Sequence, residues 1–189
     1  MFVERALDRL ARGKRVLDVG ANLGRYSRKA AQRGLRVTAV DSDEVVMGRL
    51  WREASQANEG VLPLVVDLAE PSAGLGWRNS ECRPFLERAN GWSDLVLLLA
   101  LVHHLLVTAR APLSEVVSLA AGLSRDALVV EYVGPQDAQF RRLCRGRDRL
   151  FAGYGREAWE QAWGRQFYIE DRAQLPDSER VLYRLRRRS

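Results

Sequence analysis

Short apolar runs alternate with longer amphipathic ones along this chain, the pattern of an α/β fold with a mainly parallel sheet. Phe2, Val3, Ala6, Leu7, Leu10 and Ala11 recur at helical spacing and predict a leading helix over 2–12. Residues 15–19 form the first expected strand, and a helix over 24–33 is stopped by Gly34. The second strand is expected at 36–40, a helix at 43–58 and a third strand at 61–66. Residues 67–80, rich in Gly, Pro and Ser, read as a loop, followed by a short helix over 81–89. The unbroken apolar run at 94–100 predicts a fourth strand buried on both faces. Helical spacing at 113–123 precedes a fifth strand at 127–133, and two more helical pieces fall at 137–145 and 156–163. The close differs in kind: strands at 166–172 and 180–186 flank Pro176, Asp177 and Ser178 and predict an antiparallel hairpin. The expected fold is therefore a doubly wound, seven-stranded, mostly parallel sheet with a C-terminal antiparallel hairpin.

At 189 residues, with no repeat or low-complexity linker, the chain is expected to form a single domain over 1–189. Hydrophobic residues at 47% and charged residues at 29% exclude a disordered or collagenous chain. The central uncharged run from Leu95 to Ala109 is 15 residues long, short of the about 20 that a membrane helix needs, and no signal-peptide core opens the chain. A cytoplasmic protein without membrane contact is expected. Cys82 and Cys144 have neither disulfide-framework nor zinc-ligand spacing, so no metal is expected. The net charge of +6 is carried almost wholly by arginine and permits an anionic partner without requiring one.

Candidate chemistry concentrates where strands meet helices. The run from Arg15 to Ser27 passes from an apolar strand through Asp18, Gly20, Asn22 and Gly24 into a helix. Glycines there let backbone pass close under a ligand, and the helix start offers unpaired N–H groups. Asp41 follows 23 residues after Asp18, at the end of the second strand, where a carboxylate can accept both hydroxyls of a ribose. The Gly20-x-x-x-Gly24 spacing lacks the central glycine of a dinucleotide fingerprint, which points to a nucleoside ligand without a pyrophosphate and disfavours a nucleotide-dependent oxidoreductase.

These features resemble the class I S-adenosylmethionine-dependent methyltransferases. The resemblance rests on VLDVGANLG at 16–24, VTAVDSD at 37–43, LPLVVDLAEPS at 62–72 and SDLVLLLALVHHLL at 93–106. More narrowly, GLGWRN near 74–79, LVVEYV at 128–133 and RLFAGYGREAWE at 149–160 resemble the methyltransferase region of NoeA-like nodulation proteins. The resemblance implies the strand order 3-2-1-4-5-7-6 and S-adenosylmethionine as cofactor, leaving S-adenosylhomocysteine as product. It also implies that Asp18, Gly20, Asn22 and Gly24 line the methionine end, Asp41 binds the ribose, Ser42 lies beside the adenine and Asp67 accepts from the adenine amino group. Ala100 and Leu101 would border the sulfonium.

His103 and His104 follow the fourth strand, where an imidazole could take a proton from an oxygen or nitrogen nucleophile. His103 is the one expected to face substrate; the competing account is that both merely cap or pack. Trp77 could stack on a flat substrate, Arg78 pair with an anion and Asn79 hydrogen-bond nearby, while Glu131 and Tyr132 end the fifth strand at the same rim. The arginines at 141–149 and 184–188 are expected to be solvated faces rather than a phosphate track. The expected acceptor is a small molecule or carbohydrate-related compound. Alternatives are RNA, or a non-catalytic cofactor-binding module or fragment of a larger protein. Oligomeric state has no signature in the sequence.

Overall fold

The computed structural model describes residues 1–188. In chain order its elements are α1 (Phe2–Asp8), β1 (Arg15–Val19), α2 (Arg25–Ala31), β2 (Arg36–Asp41), α3 (Glu44–Gln56), β3 (Val61–Val65), α4 (Phe85–Ala89), β4 (Ser93–Leu98), α5 (Val102–Val107), α6 (Leu113–Leu123), β5 (Ser124–Tyr132), α7 (Ala138–Cys144), α8 (Arg156–Gly164), β6 (Phe167–Gln174) and β7 (Val181–Arg187). The seven strands make one sheet in the order β3-β2-β1-β4-β5-β7-β6. All pairings are parallel except those of β7 with β5 and β6. This is the expected doubly wound architecture with its terminal hairpin.

The period-2 alternation of strand side chains divides the core into two layers. Val16, Leu95, Leu97, Ala127 and Val129 face a layer with α1 and α2, where Val3, Leu7 and Ala30 pack. Leu17, Val19, Val96, Leu98, Leu128 and Val130 face the other layer, covered by α4 through α8. All six residues of β4 are buried, as its continuous apolar run requires. Trp159, Trp163, Tyr183, Phe140 and Phe167 are fully buried in the second layer, with Trp159 and Tyr183 ring centroids 4.5 Å apart.

Several boundaries differ from expectation for local reasons. The short helix begins at Phe85 rather than 81, because Leu75 and Cys82 exchange backbone hydrogen bonds and hold 81–82 extended. Strand β4 stops at Leu98, two residues early, because Ala100 turns into the left-handed region at φ +49°. Asp43 caps α3, accepting from the Val45 and Val46 N–H groups. The terminal arginines are tied down: Arg184 and Arg186 pair with Glu170 within the hairpin, and Arg187 donates to the Ser124 carbonyl at the start of β5 at 2.6 Å.

Candidate functional site

The loops leaving the carboxyl ends of β1, β2, β3 and β4 enclose a cavity of about 670 Å³, within the size range of small-ligand sites. Gly20, Asn22, Asp41, Ser42, Asp67 and Ala100 all line it. Six of the eight expected cofactor-binding residues are thus brought to one place from four different loops.

Asp41 organises this rim. Its Oδ2 accepts from the Asn22 N–H at 2.9 Å and its Oδ1 from the Asp43 N–H at 3.1 Å. Neither partner is charged, so each oxygen keeps a lone pair for a ligand. Backbone bonds tie the neighbouring turns to the same strand end: Gly20 and Ala21 donate to the Val40 carbonyl, and Val66 donates to the Asp41 carbonyl. The first turn needs Gly20 at φ +71° and places Asn22 at φ +49°, where asparagine is one of the few tolerated residues. Asp67 accepts from the Ala69 N–H at 2.8 Å, an Asx turn that orients its carboxylate at the cavity wall.

Asp18 and Gly24 do not reach the cavity. Asp18 is 3% exposed, and its Oδ2 accepts from the Ser27 hydroxyl at 2.6 Å, so it closes the β1–α2 junction from inside. Burial raises its pKa to about 6. Gly24, at φ +70°, starts α2 where a Cβ would lie 2.4 Å from Leu50 Cδ1.

The two histidines part company on α5. His104 lines the cavity with Leu105, Thr108 and Ala109, and Thr108 repeats the His104 face one turn later. Burial lowers the His104 pKa, keeping the ring neutral near pH 7. His103, the expected substrate-facing residue, is 2% exposed and lies off the cavity, with its Nδ1 unpartnered. Burial, reinforced by the charges of His104 and Arg180, pushes its pKa down to about 4. A step of one residue along a helix rotates a side chain by about 100°, and here that step decides which ring meets the cavity.

The expected substrate residues are placed elsewhere. Trp77, Arg78 and Asn79 form a tight turn outside the cavity lining, with Arg78 and Asn79 both left-handed, and Trp77 is 77% exposed. Tyr132 is buried in the aromatic layer beside Tyr154 and Trp159. Glu131 is 6% exposed and both its oxygens are engaged: Oε2 accepts from the Ala100 N–H at 3.0 Å and Oε1 from Arg180 Nη1 at 3.2 Å. Glu70, from the same polar loop as Asp67, lines the cavity, and so does Thr108, which had no assigned role. Thr108 could have been found from its i+4 spacing to His104.

No family model matches the chain. The nodulation protein NoeA of Rhizobium meliloti (strain 1021) is 30% identical over 173 residues, which are 91% of this chain and 36% of that protein. The chain is a homologue of part of NoeA. It spans about a third of that relative's length. Among solved structures, the PH0226 protein of Pyrococcus horikoshii OT3 superposes with a TM-score of 0.67 at 14% identity, covering 97% of this chain and 86% of that one. Magnesium protoporphyrin IX methyltransferase of Synechocystis PCC 6803, solved with bound S-adenosylmethionine, superposes with a TM-score of 0.65 at 16% identity, covering 99% and 78%. The fold of this NoeA homologue is that of the class I S-adenosylmethionine-dependent methyltransferases. Among its described residues no helix is long and apolar enough to cross a membrane.

Proposed function

We propose that this NoeA homologue transfers a methyl group from S-adenosylmethionine to an oxygen or nitrogen of a small-molecule or carbohydrate-related acceptor. The observation that carries this is the cavity at the carboxyl ends of β1, β2 and β4, in which Asp41 faces inward with only backbone partners. Asp41, Asp67 and Glu70 make the lining acidic, and no lysine or arginine occurs among the described residues that line it. Such a lining suits a ligand carrying a sulfonium and an ammonium.

Asp41 would hold the ribose hydroxyls, Ser42 and Asp67 the adenine, and the Gly20–Asn22 backbone the methionine end. Bound there, S-adenosylmethionine supplies a methyl group on an electrophilic sulfonium. On the α5 side, Leu105 and Ala109 exclude water and Thr108 offers a hydroxyl to an acceptor. The neutral His104 ring can accept the proton that an attacking hydroxyl or amine releases. A neutral sugar or metabolite hydroxyl fits a cavity that is acidic and lacks a cation; a phosphate-rich strand does not.

Calorimetric titration of the purified chain with S-adenosylhomocysteine tests the cofactor site. Micromolar binding is expected, and no binding at millimolar ligand would defeat the proposal. RNA binding that weakens steeply with salt would redirect the acceptor to nucleic acid.

A further inference from the structure

A non-glycine residue in the left-handed region needs something to hold it there. Ala100 sits at φ +49° on the cavity wall, between the end of β4 and the start of α5. Its N–H is taken by Glu131 Oε2 at 3.0 Å. Glu131 is buried, and a buried carboxylate needs a cation. That cation is Arg180, which precedes β7: Nη1 reaches Glu131 at 3.2 Å, while Nε and Nη2 grip both oxygens of Asp137 at 2.7 and 3.0 Å. Asp137 in turn caps α7 through the Gln139 and Phe140 N–H groups. The four groups form one chain of charge-assisted bonds from the terminal hairpin to the cavity wall.

The Ala100 turn sets two things that face the cavity. Leu101 lies 3.5 Å from where a Cβ on Gly20 would stand, so it abuts the turn expected to hold the cofactor's methionine end. Helix α5 starts at Val102 and carries His104 and Thr108 into the lining. Opening the turn at Ala100 would displace both.

We propose that Glu131 and Arg180 are positioning residues of the methyl-transfer site: they hold Ala100 left-handed and thereby fix the wall made by Leu101 and α5. This rests on the methyltransferase proposal and assigns Glu131 and the hairpin residue Arg180 to the site without contact with either substrate.

The test uses the full chain and S-adenosylhomocysteine as probe. Glu131→Ala is expected to weaken binding about tenfold, the size of the left-handed penalty once the hold is gone. Adding Ala100→Gly to Glu131→Ala is expected to restore most of that loss, because glycine adopts the left-handed region freely. A purely structural Glu131 would show no such rescue, and its absence, or unchanged binding by Glu131→Ala, would overturn the proposal.

Amide hydrogen exchange at Ala100 gives a ligand-free readout should Glu131→Ala fail to fold. Arg180→Lys keeps a cation but loses the fork, and faster exchange at Ala100 with unchanged exchange in the β4 interior is expected. Unchanged exchange at Ala100 would remove Arg180 from the role. Failure of the wild-type chain to bind S-adenosylhomocysteine would instead fall on the methyltransferase proposal, and the exchange result would still decide whether Glu131 and Arg180 hold the turn.

Discussion

Acids in two regions of the molecule meet opposite fates. Asp41, at the end of β2, is held by backbone N–H groups and faces the cavity. On the β5–β7 side, Glu131 and Asp137 are closed by Arg180, Glu170 by Arg184 and Arg186, and Glu160 by Arg156 and Arg172. A carboxylate with backbone partners keeps lone pairs for a ligand; one saturated by guanidinium groups has become part of the frame. Position at the carboxyl end of a strand therefore nominates a ligand-binding acid, and its partners decide whether it can act as one.

The contrast is broken most severely by emptying the aromatic layer. Trp163→Ala should destabilise the fold by about 3–5 kcal/mol, read from urea unfolding, because a fully buried indole leaves a cavity that the sheet cannot collapse into. Cofactor affinity of the fraction still folded should be unchanged if the two sides are independent. Asp41→Ala should do the reverse. A loss of about 1.5–3 kcal/mol in S-adenosylhomocysteine affinity is expected by calorimetry, with a smaller change in unfolding midpoint. Equal losses in both measurements would make Asp41 a frame residue too.

Two buried titrations sharpen the picture. The Asp18 pKa is raised to about 6, so between about pH 4 and 6 the folded state binds more protons than the unfolded one, and stability is lost as pH rises through that window. The His103 pKa is lowered to about 4, so below about 6.5 the unfolded state binds more protons, and stability is lost as pH falls. The opposed slopes mask each other. Relative to wild type, Asp18→Asn should gain stability with rising pH between 4 and 6, and His103→Gln should lose it, each by on the order of 2 kcal/mol across the window. Parallel stability–pH curves for wild type and both variants would remove these groups from the balance. The smallest effects are expected at Trp77→Ala and Arg78→Ala: within about 0.5 kcal/mol in stability and no change in cofactor affinity, since both lie on an exposed turn outside the cavity.

Much of the cavity side was legible in sequence because its signals are local. The apolar strand, the turn through Gly20 and Asn22 and the acid ending the next strand each constrain backbone within a few residues. The topology was legible too, through seven strand patterns and the family resemblance. What stayed hidden depends on distant partners or on a single helical step. Nothing adjacent to Glu131 in sequence announces Arg180, which lies 49 residues on. His103 and His104 are chemically identical neighbours whose facing is set by where α5 begins, and that start is set by a left-handed alanine in a run with no turn residue. Gly24 shows the limit of a motif: its left-handed backbone at φ +70° calls for glycine whether or not a ligand is near, and it lies outside the cavity lining.

The strand order has a consequence for how the chain assembles. β6 lies at the margin of the sheet and is joined to it through β7, which follows it in the chain. During synthesis β6 therefore emerges with no ladder to enter until β7 follows and pairs with it, and the hairpin joins the sheet when β7 pairs with β5. Arg180, just ahead of β7, arrives in the same event, so the bond that secures Ala100 forms only as the sheet is closed. Earlier intermediates would hold the amino-terminal strands and their turns but not a finished cavity wall.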